Sequence, residues 1–328
     1  MTRILIVAVL LACAACGGEP GSKSSTAVIG FAIDRDRITV SGVSSGAYMA
    51  GQLHVAYSDV FSGAGMLAGG PFACALGDLR RALGPCLNGG ELDIDELVAH
   101  AVELAADGLI APLENLADDT AWLFHSPSDA VVNPETTTGT AAFYMAIGAT
   151  IVTVDDVAVI HGYPTHDLGA ACDAFEAPYI NACGYDAAGQ LLAALGAGEP
   201  PAETASGTLQ QIPVANAANA NLLESAYLYV PSTCTDGEAC GVHVALHGCV
   251  QSAELVDDAF ATLAGYNRWA DSNRLLVIYP QVAASAFAPM NPNGCWDWWG
   301  YTGDDYATRS GVQMQAIVNL IETLADRP

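Results

Sequence analysis

The stretch Val40-Ser41-Gly42-Val43-Ser44-Ser45-Gly46-Ala47-Tyr48 decides how this chain is read. Arg37–Ser41 reads as a strand and Ala47–Tyr57 as a helix, so a G-x-S-x-G sequence sits at a strand-to-helix turn. Glycines on both sides permit a tight, strained turn that lifts a serine hydroxyl above the sheet edge. The helix that follows directs its N-terminus at the place where negative charge develops during acyl transfer. Ser44 is therefore the candidate nucleophile.

Around this turn, strand-like and helix-like segments alternate, as expected for a mostly parallel sheet covered by helices on both faces. Further strands are expected at Gly63–Ala68, Thr120–His125 and Ala149–Val154, with a helix over Ile94–Ala105. A second block has strands at Tyr227–Val230, Val242–Leu246 and Leu275–Tyr279, a helix over Leu255–Asp271 and a closing amphipathic helix from Val312 to Leu324. Gly196–Asn221, rich in Ala, Pro, Thr and Asn, reads as a long surface connection. No internal repeat is evident, and residues 28–328 read as one α/β catalytic domain.

A serine nucleophile needs a base and a group that orients the base. In α/β-hydrolases the chain order is Ser, acid, His, with both partners on loops after later strands. Asp129 follows the Thr120–His125 strand, and His161 follows the Ala149–Val154 strand. His166 is the rival base, and Asp118 and Asp119 are rival acids. His247-Gly248-Cys249 follows the Val242–Leu246 strand, where such folds place a loop that supplies one oxyanion-hole N–H. The candidate donors are Ser45 and Cys249. This loop normally precedes the nucleophile; here it follows by about 200 residues, which implies a circularly permuted α/β-hydrolase with the Ser44 strand beside Val242–Leu246. The chemistry needs no cofactor and no metal. The cluster Gly294-Cys295-Trp296-Asp297-Trp298-Trp299-Gly300-Tyr301 suits an apolar wall for substrate.

The chain holds 36 acidic against 10 basic residues, a formal charge of −26, which argues against a nucleic-acid partner. The first 16 residues pair one positive charge with a short apolar run and read as an export signal. Leu10-Leu11-Ala12-Cys13 and Ala14-Ala15-Cys16-Gly17 both resemble a lipobox, so a lipid anchor to the membrane is expected on Cys16 or Cys13, with residues 17–27 as a flexible tether. Eight cysteines remain, an even count that suits disulfides in an exported chain. Pairing nearest neighbours gives Cys74–Cys86, Cys172–Cys183, Cys234–Cys240 and Cys249–Cys295.

From Val40 to Leu324 the chain resembles the short-chain-length polyhydroxyalkanoate depolymerases, the poly(3-hydroxybutyrate) depolymerases, of the extracellular kind with the lipase box near the N-terminus. The resemblance rests on Ser41-Gly-Val-Ser-Ser-Gly-Ala-Tyr-Met-Ala, Ala177-Pro-Tyr-Ile-Asn-Ala-Cys-Gly-Tyr-Asp, His247-Gly-Cys-Val-Gln, Tyr279-Pro-Gln and the tryptophan cluster. It implies a Ser44–Asp129–His161 triad, with His161 matching through Thr165 and Gly169. It also implies oxyanion donors at Ser45 and Cys249, and an aromatic substrate crevice at Tyr301. Trp296, Trp298 and His247 are expected as further substrate contacts from the residues themselves. A secreted or lipid-anchored monomer that cleaves polyester through an acyl-enzyme is the expectation. The alternatives are another exported carboxylesterase acting on soluble, aryl or plant-wall esters, and a surface lipoprotein that binds polymer without cutting it.

Overall fold

The computed structural model describes residues 30–325. The expected export signal, tether and lipidation cysteines, Cys13 and Cys16, lie outside the described residues.

The strands in chain order are β1 (Ile33–Val43), β2 (Gly63–Leu67), β3 (Thr120–Phe124), β4 (Thr150–Val154), β5 (Tyr163–Thr165), β6 (Ala170–Ala171), β7 (Ile180–Ala182), β8 (Thr208–Pro213), β9 (Ser225–Val230), β10 (Cys240–Leu246) and β11 (Leu275–Tyr279). Eight of them form one sheet in the order β4-β3-β2-β1-β10-β11-β9-β8. The six from β4 to β11 run parallel, and β9 and β8 close one edge antiparallel. The N-terminal half builds one flank and the C-terminal half the other. They meet at β1 and β10, with Ile38 opposite Val242 and Gly42 opposite Leu246. This is the permuted α/β-hydrolase order.

Central parallel strands are covered on both faces, so their residues are buried continuously rather than alternately. All seven residues of β10 are buried, as is β1 from Ile38 to Val43. Polar side chains inside this layer satisfy one another: Thr39 and Ser41 bond the two ring nitrogens of His243, each at 2.8 Å. Burial depresses the His243 imidazole to about 3, so it stays neutral inside the sheet. The helix Ser45–Ala56, just after the turn, is buried over its whole length. The closing helix Val312–Leu324 buries Met314, Ile317, Leu320, Ile321 and Leu324 against the main core.

Two expectations require correction. Leu255–Asp271 is not one helix but parts of three: Ala253–Val256, Ala259–Leu263 and Tyr266–Asn273. The breaks fall at Asp257 and Gly265, both at positive φ, where a helix cannot continue. The stretch 196–221 is not a plain connection, because it contains β8, which pairs with β9 from Thr208–Val230 to Pro213–Ser225. As an edge strand with only Ile212 buried, β8 has little apolar pattern to reveal it.

Disulfides join Cys74–Cys86, Cys172–Cys183, Cys234–Cys240 and Cys249–Cys295, the nearest-neighbour pairing. Four such bridges fit an oxidising, extracytoplasmic compartment.

Candidate active site

Ser44 stands at the carboxyl end of β1 with φ 56° and ψ −123°, a strained conformation for a residue with a side chain. Both flanking glycines are required by contact. A Cβ at Gly42 would lie 2.2 Å from the Gly46 carbonyl oxygen, and one at Gly46 would lie 2.5 Å from the Leu246 and His247 oxygens. The turn is therefore pressed against the first turn of its own helix and against the end of β10.

Ser44, His161 and Asp129 form a continuous hydrogen-bonded chain. His161 Nδ1–H donates to Asp129 Oδ2 at 2.7 Å, leaving Nε2 to accept the Ser44 hydroxyl at 3.1 Å. The other carboxylate oxygen of Asp129 accepts the N–H groups of Val131 and Val132 at 2.8 and 3.0 Å. Burial alone would raise the Asp129 carboxyl. The bond and charge of His161, with those two N–H groups, outweigh burial and hold it below its ordinary value. The rivals sit elsewhere. His166 is largely exposed beside Asp167, and Asp119 pairs with His54 at 3.3 Å.

On the other side of Ser44 lie Ser45 and the loop after β10. Neither the Ser45 N–H nor the Cys249 N–H is taken by a hydrogen bond among the described residues, and both residues line the same cavity as Ser44 and His161. His247 Nδ1–H donates to the Gly248 oxygen at 2.7 Å, and its Nε2 accepts the Val282 N–H at 3.2 Å. In a trans peptide the carbonyl and N–H point in opposite directions, so holding the Gly248 oxygen also sets the direction of the Cys249 N–H. Burial depresses His247 to about 4, which keeps it neutral.

The cavity measures about 390 Å³. Tyr48 and Trp298, stacked with ring centroids 4.3 Å apart, form part of its wall with Trp299. Leu79, Leu83, Val131, Phe175 and Met290 line it and are also exposed to solvent, giving it an apolar rim. Asp297 shapes the aromatic loop: its carboxylate accepts the N–H groups of Trp299, Gly300, Tyr301 and Thr302.

Of the four expected substrate contacts, Trp298 alone lines the cavity. His247 and Trp296 are fully buried, and the Trp296 ring N–H is spent on the His247 carbonyl. The Tyr301 hydroxyl is turned inward, bonded to the Cys295 oxygen, Asn291 and Gln313, while its ring packs against Trp299. These three support the wall from behind. Two further lining residues, Tyr48 and Gln251, are not evident as site residues from the sequence. Tyr48 lies one helical turn beyond Ser44, a spacing that places it beside the nucleophile, and Gln251 ends the quoted His247 motif.

A strained serine at the centre of a permuted parallel sheet, bonded through histidine to a buried aspartate, is the arrangement of the α/β-hydrolase class. No family model matches the chain. Among curated proteins it is 35% identical over 321 residues to a polyhydroxybutyrate depolymerase of Talaromyces funiculosus, covering 92% of this chain and 93% of that protein. It is 36% identical over 313 residues to a poly(3-hydroxybutyrate) depolymerase of Delftia acidovorans, covering 89% of this chain but only 60% of the relative's length. Among solved structures, a PHB depolymerase complexed with an R3HB trimer superposes with a TM-score of 0.84 at 33% identity, over 91% of this chain and 98% of that one. The PHB depolymerase of Penicillium funiculosum gives 0.83 at 34% identity, over 90% and 98%. The chain belongs to the polyhydroxybutyrate depolymerase family.

Proposed function

We propose that this protein is a serine esterase that hydrolyses poly(3-hydroxybutyrate) or a related short-chain polyhydroxyalkanoate. The observation that carries this reading is the Ser44–His161–Asp129 chain opening into an apolar, aromatic-walled cavity in a member of this family. His161 Nε2 takes the Ser44 proton as Oγ attacks the ester carbonyl, and the N–H groups of Ser45 and Cys249 receive the oxyanion. His161 then protonates the departing alkoxide, leaving an acyl group on Ser44. A water deprotonated by His161 attacks that ester and releases the hydroxy acid. Asp129 keeps the imidazole in the tautomer with Nδ1–H and stabilises its cationic form.

The apolar rim suits contact with a polyester surface. A monomer, with all five proposed groups in the one chain, belongs to the same proposal. Export through residues 1–16, with lipid attachment at Cys16 or Cys13, belongs to the same proposal.

The test is release of soluble 3-hydroxybutyrate from amorphous polymer granules by the wild type and by Ser44→Ala. The wild type should clear the granules. The variant should fall by roughly four orders of magnitude or more while keeping its thermal unfolding transition. Turnover of soluble aryl esters without attack on the polymer would point instead to an exported carboxylesterase. A folded Ser44→Ala that retains its rate would refute the nucleophile assignment.

A further inference from the structure

Gln251 is buried, makes three hydrogen bonds and has no place in the steps above. Its Oε1 accepts the Gly248 N–H at 2.7 Å, and its Nε2 donates to the Pro178 and Tyr179 oxygens at 2.9 and 3.2 Å. The partners fix the orientation of the amide, because an N–H can face only the carbonyl oxygen and two carbonyls can face only the NH2 group. Both amide hydrogens are therefore used by the protein's own carbonyls, which leaves the NH2 group none to offer a substrate.

What this amide joins is specific. Gly248 is the residue whose carbonyl His247 holds, and its following peptide carries the Cys249 N–H. Gln251 fixes the N–H side of Gly248 while His247 fixes the carbonyl side. Gly248 has no side chain to anchor it, and a Cβ there would lie 2.8 Å from Gln251 Oε1. The glutamine amide thus occupies the space that a side chain at position 248 would enter. At its far end Gln251 grips the Tyr179 oxygen, which also accepts the Tyr163 N–H at 2.8 Å. Tyr163 is two residues after His161 and starts β5. A single side chain thereby spans from the loop after β10 to the strand partner of the segment that follows the histidine.

We propose that Gln251 is a positioning residue that holds the Cys249 N–H in register with His161 by clamping Gly248 to the Pro178–Tyr179 wall. It rests on the serine-esterase reading above. Misaimed rather than removed, an oxyanion donor should lose part of the two to three orders of magnitude that such a donor supplies, so the effect falls on kcat more than on KM.

The experiment compares the wild type, Gln251→Leu and Gln251→Glu in the full chain on a soluble aryl ester, with thermal unfolding measured alongside. Gln251→Leu should lower kcat by roughly 10- to 100-fold with KM nearly unchanged. Gln251→Glu keeps the acceptor for Gly248 but turns a carboxylate oxygen toward two carbonyls. Its kcat, expressed as a ratio to wild type at the same pH, should be low near pH 8 and rise as pH falls, because protonation restores one donor. At temperatures where unfolding shows the variant fully folded at every pH, a purely structural glutamine would not produce that rising ratio. Folded variants with wild-type kcat, or a Gln251→Glu ratio flat with pH, would overturn the proposal. If Gln251→Leu does not fold, the pH ratio of Gln251→Glu decides alone. A wild type inactive on every ester would fail the underlying reading instead, so the two failures are distinct.

Discussion

On the Ser44 side of the site, backbone is packed on backbone. Gly42 and Gly46 leave no room for a Cβ, the turn abuts the end of β10, and the Cys249–Cys295 bridge ties the neighbouring loop to the tryptophan cluster. On the His161 side, side chains reach across loops. The Ser126 hydroxyl accepts the N–H of Ser128, next to Asp129, and the N–H of Val159, two residues before His161. His125 Nε2–H donates to the Val132 oxygen, closing the turn that carries Asp129. One half is held by steric necessity, the other by a few directed hydrogen bonds, so substitutions should separate them.

The largest effect after loss of Ser44 itself is expected at the base. His161→Ala should lower turnover of a soluble ester by roughly three to four orders of magnitude, with little change from His166→Ala. The reverse ranking would make His166 the base and contradict the assignment. Asp129→Asn should behave like His161→Ala, since it removes the acceptor that fixes the Nδ1–H tautomer.

This contrast also explains what could be read from the sequence. Close backbone contact demands glycine at 42 and 46, so the Ser44 turn leaves a motif, and its order along the chain relative to His247-Gly248 is enough to expect β1 beside β10. Hydrogen bonds across loops leave no spacing rule. His161 and His166 share one loop, so spacing does not choose between them; the resemblance points to His161, and the fold places His166 in solvent beside Asp167. The aromatic cluster misled in a different way. Trp296 and Tyr301 look like wall residues, but their polar atoms are spent on the His247 and Cys295 carbonyls, and Tyr48, from the Ser44 helix, takes a place in the wall instead. The edge strand β8 was illegible because a strand buried at one residue carries no alternation.

A smaller effect should follow from cutting the covalent tie on the Ser44 side. Replacing Cys249 and Cys295 together by alanine keeps the Cys249 backbone N–H but frees its loop. Stability should fall by about 2–4 kcal/mol in denaturant unfolding. kcat should fall by roughly tenfold, less than removal of a donor outright. Unchanged kcat in the double variant would show that His247 and Gln251 hold the loop without the bridge.

The smallest effect on catalysis, read instead in stability, concerns His243 of β10, beside β1. Its folded-state value of about 3 lies below that of the unfolded chain, near 6.5. As pH falls below about 6.5 the unfolded chain takes up a proton that the fold refuses, so this group contributes stability above that pH and withdraws it progressively toward pH 3. Between pH 6.5 and 4 the withdrawal amounts to roughly 3 kcal/mol. His243→Gln should therefore show a flatter acid side in thermal unfolding than the wild type, whatever its stability at neutral pH. Parallel pH profiles for the two proteins would contradict this.

The central claim is that Ser44 is an activated nucleophile, and covalent capture addresses it without choosing a substrate. The folded protein should be treated with a serine-directed phosphonate and mapped by peptide mass spectrometry, alongside His161→Ala. A single adduct on Ser44, formed far more slowly in the histidine variant, is expected. An adduct on another serine, or none from a preparation that still clears polyester, would contradict it.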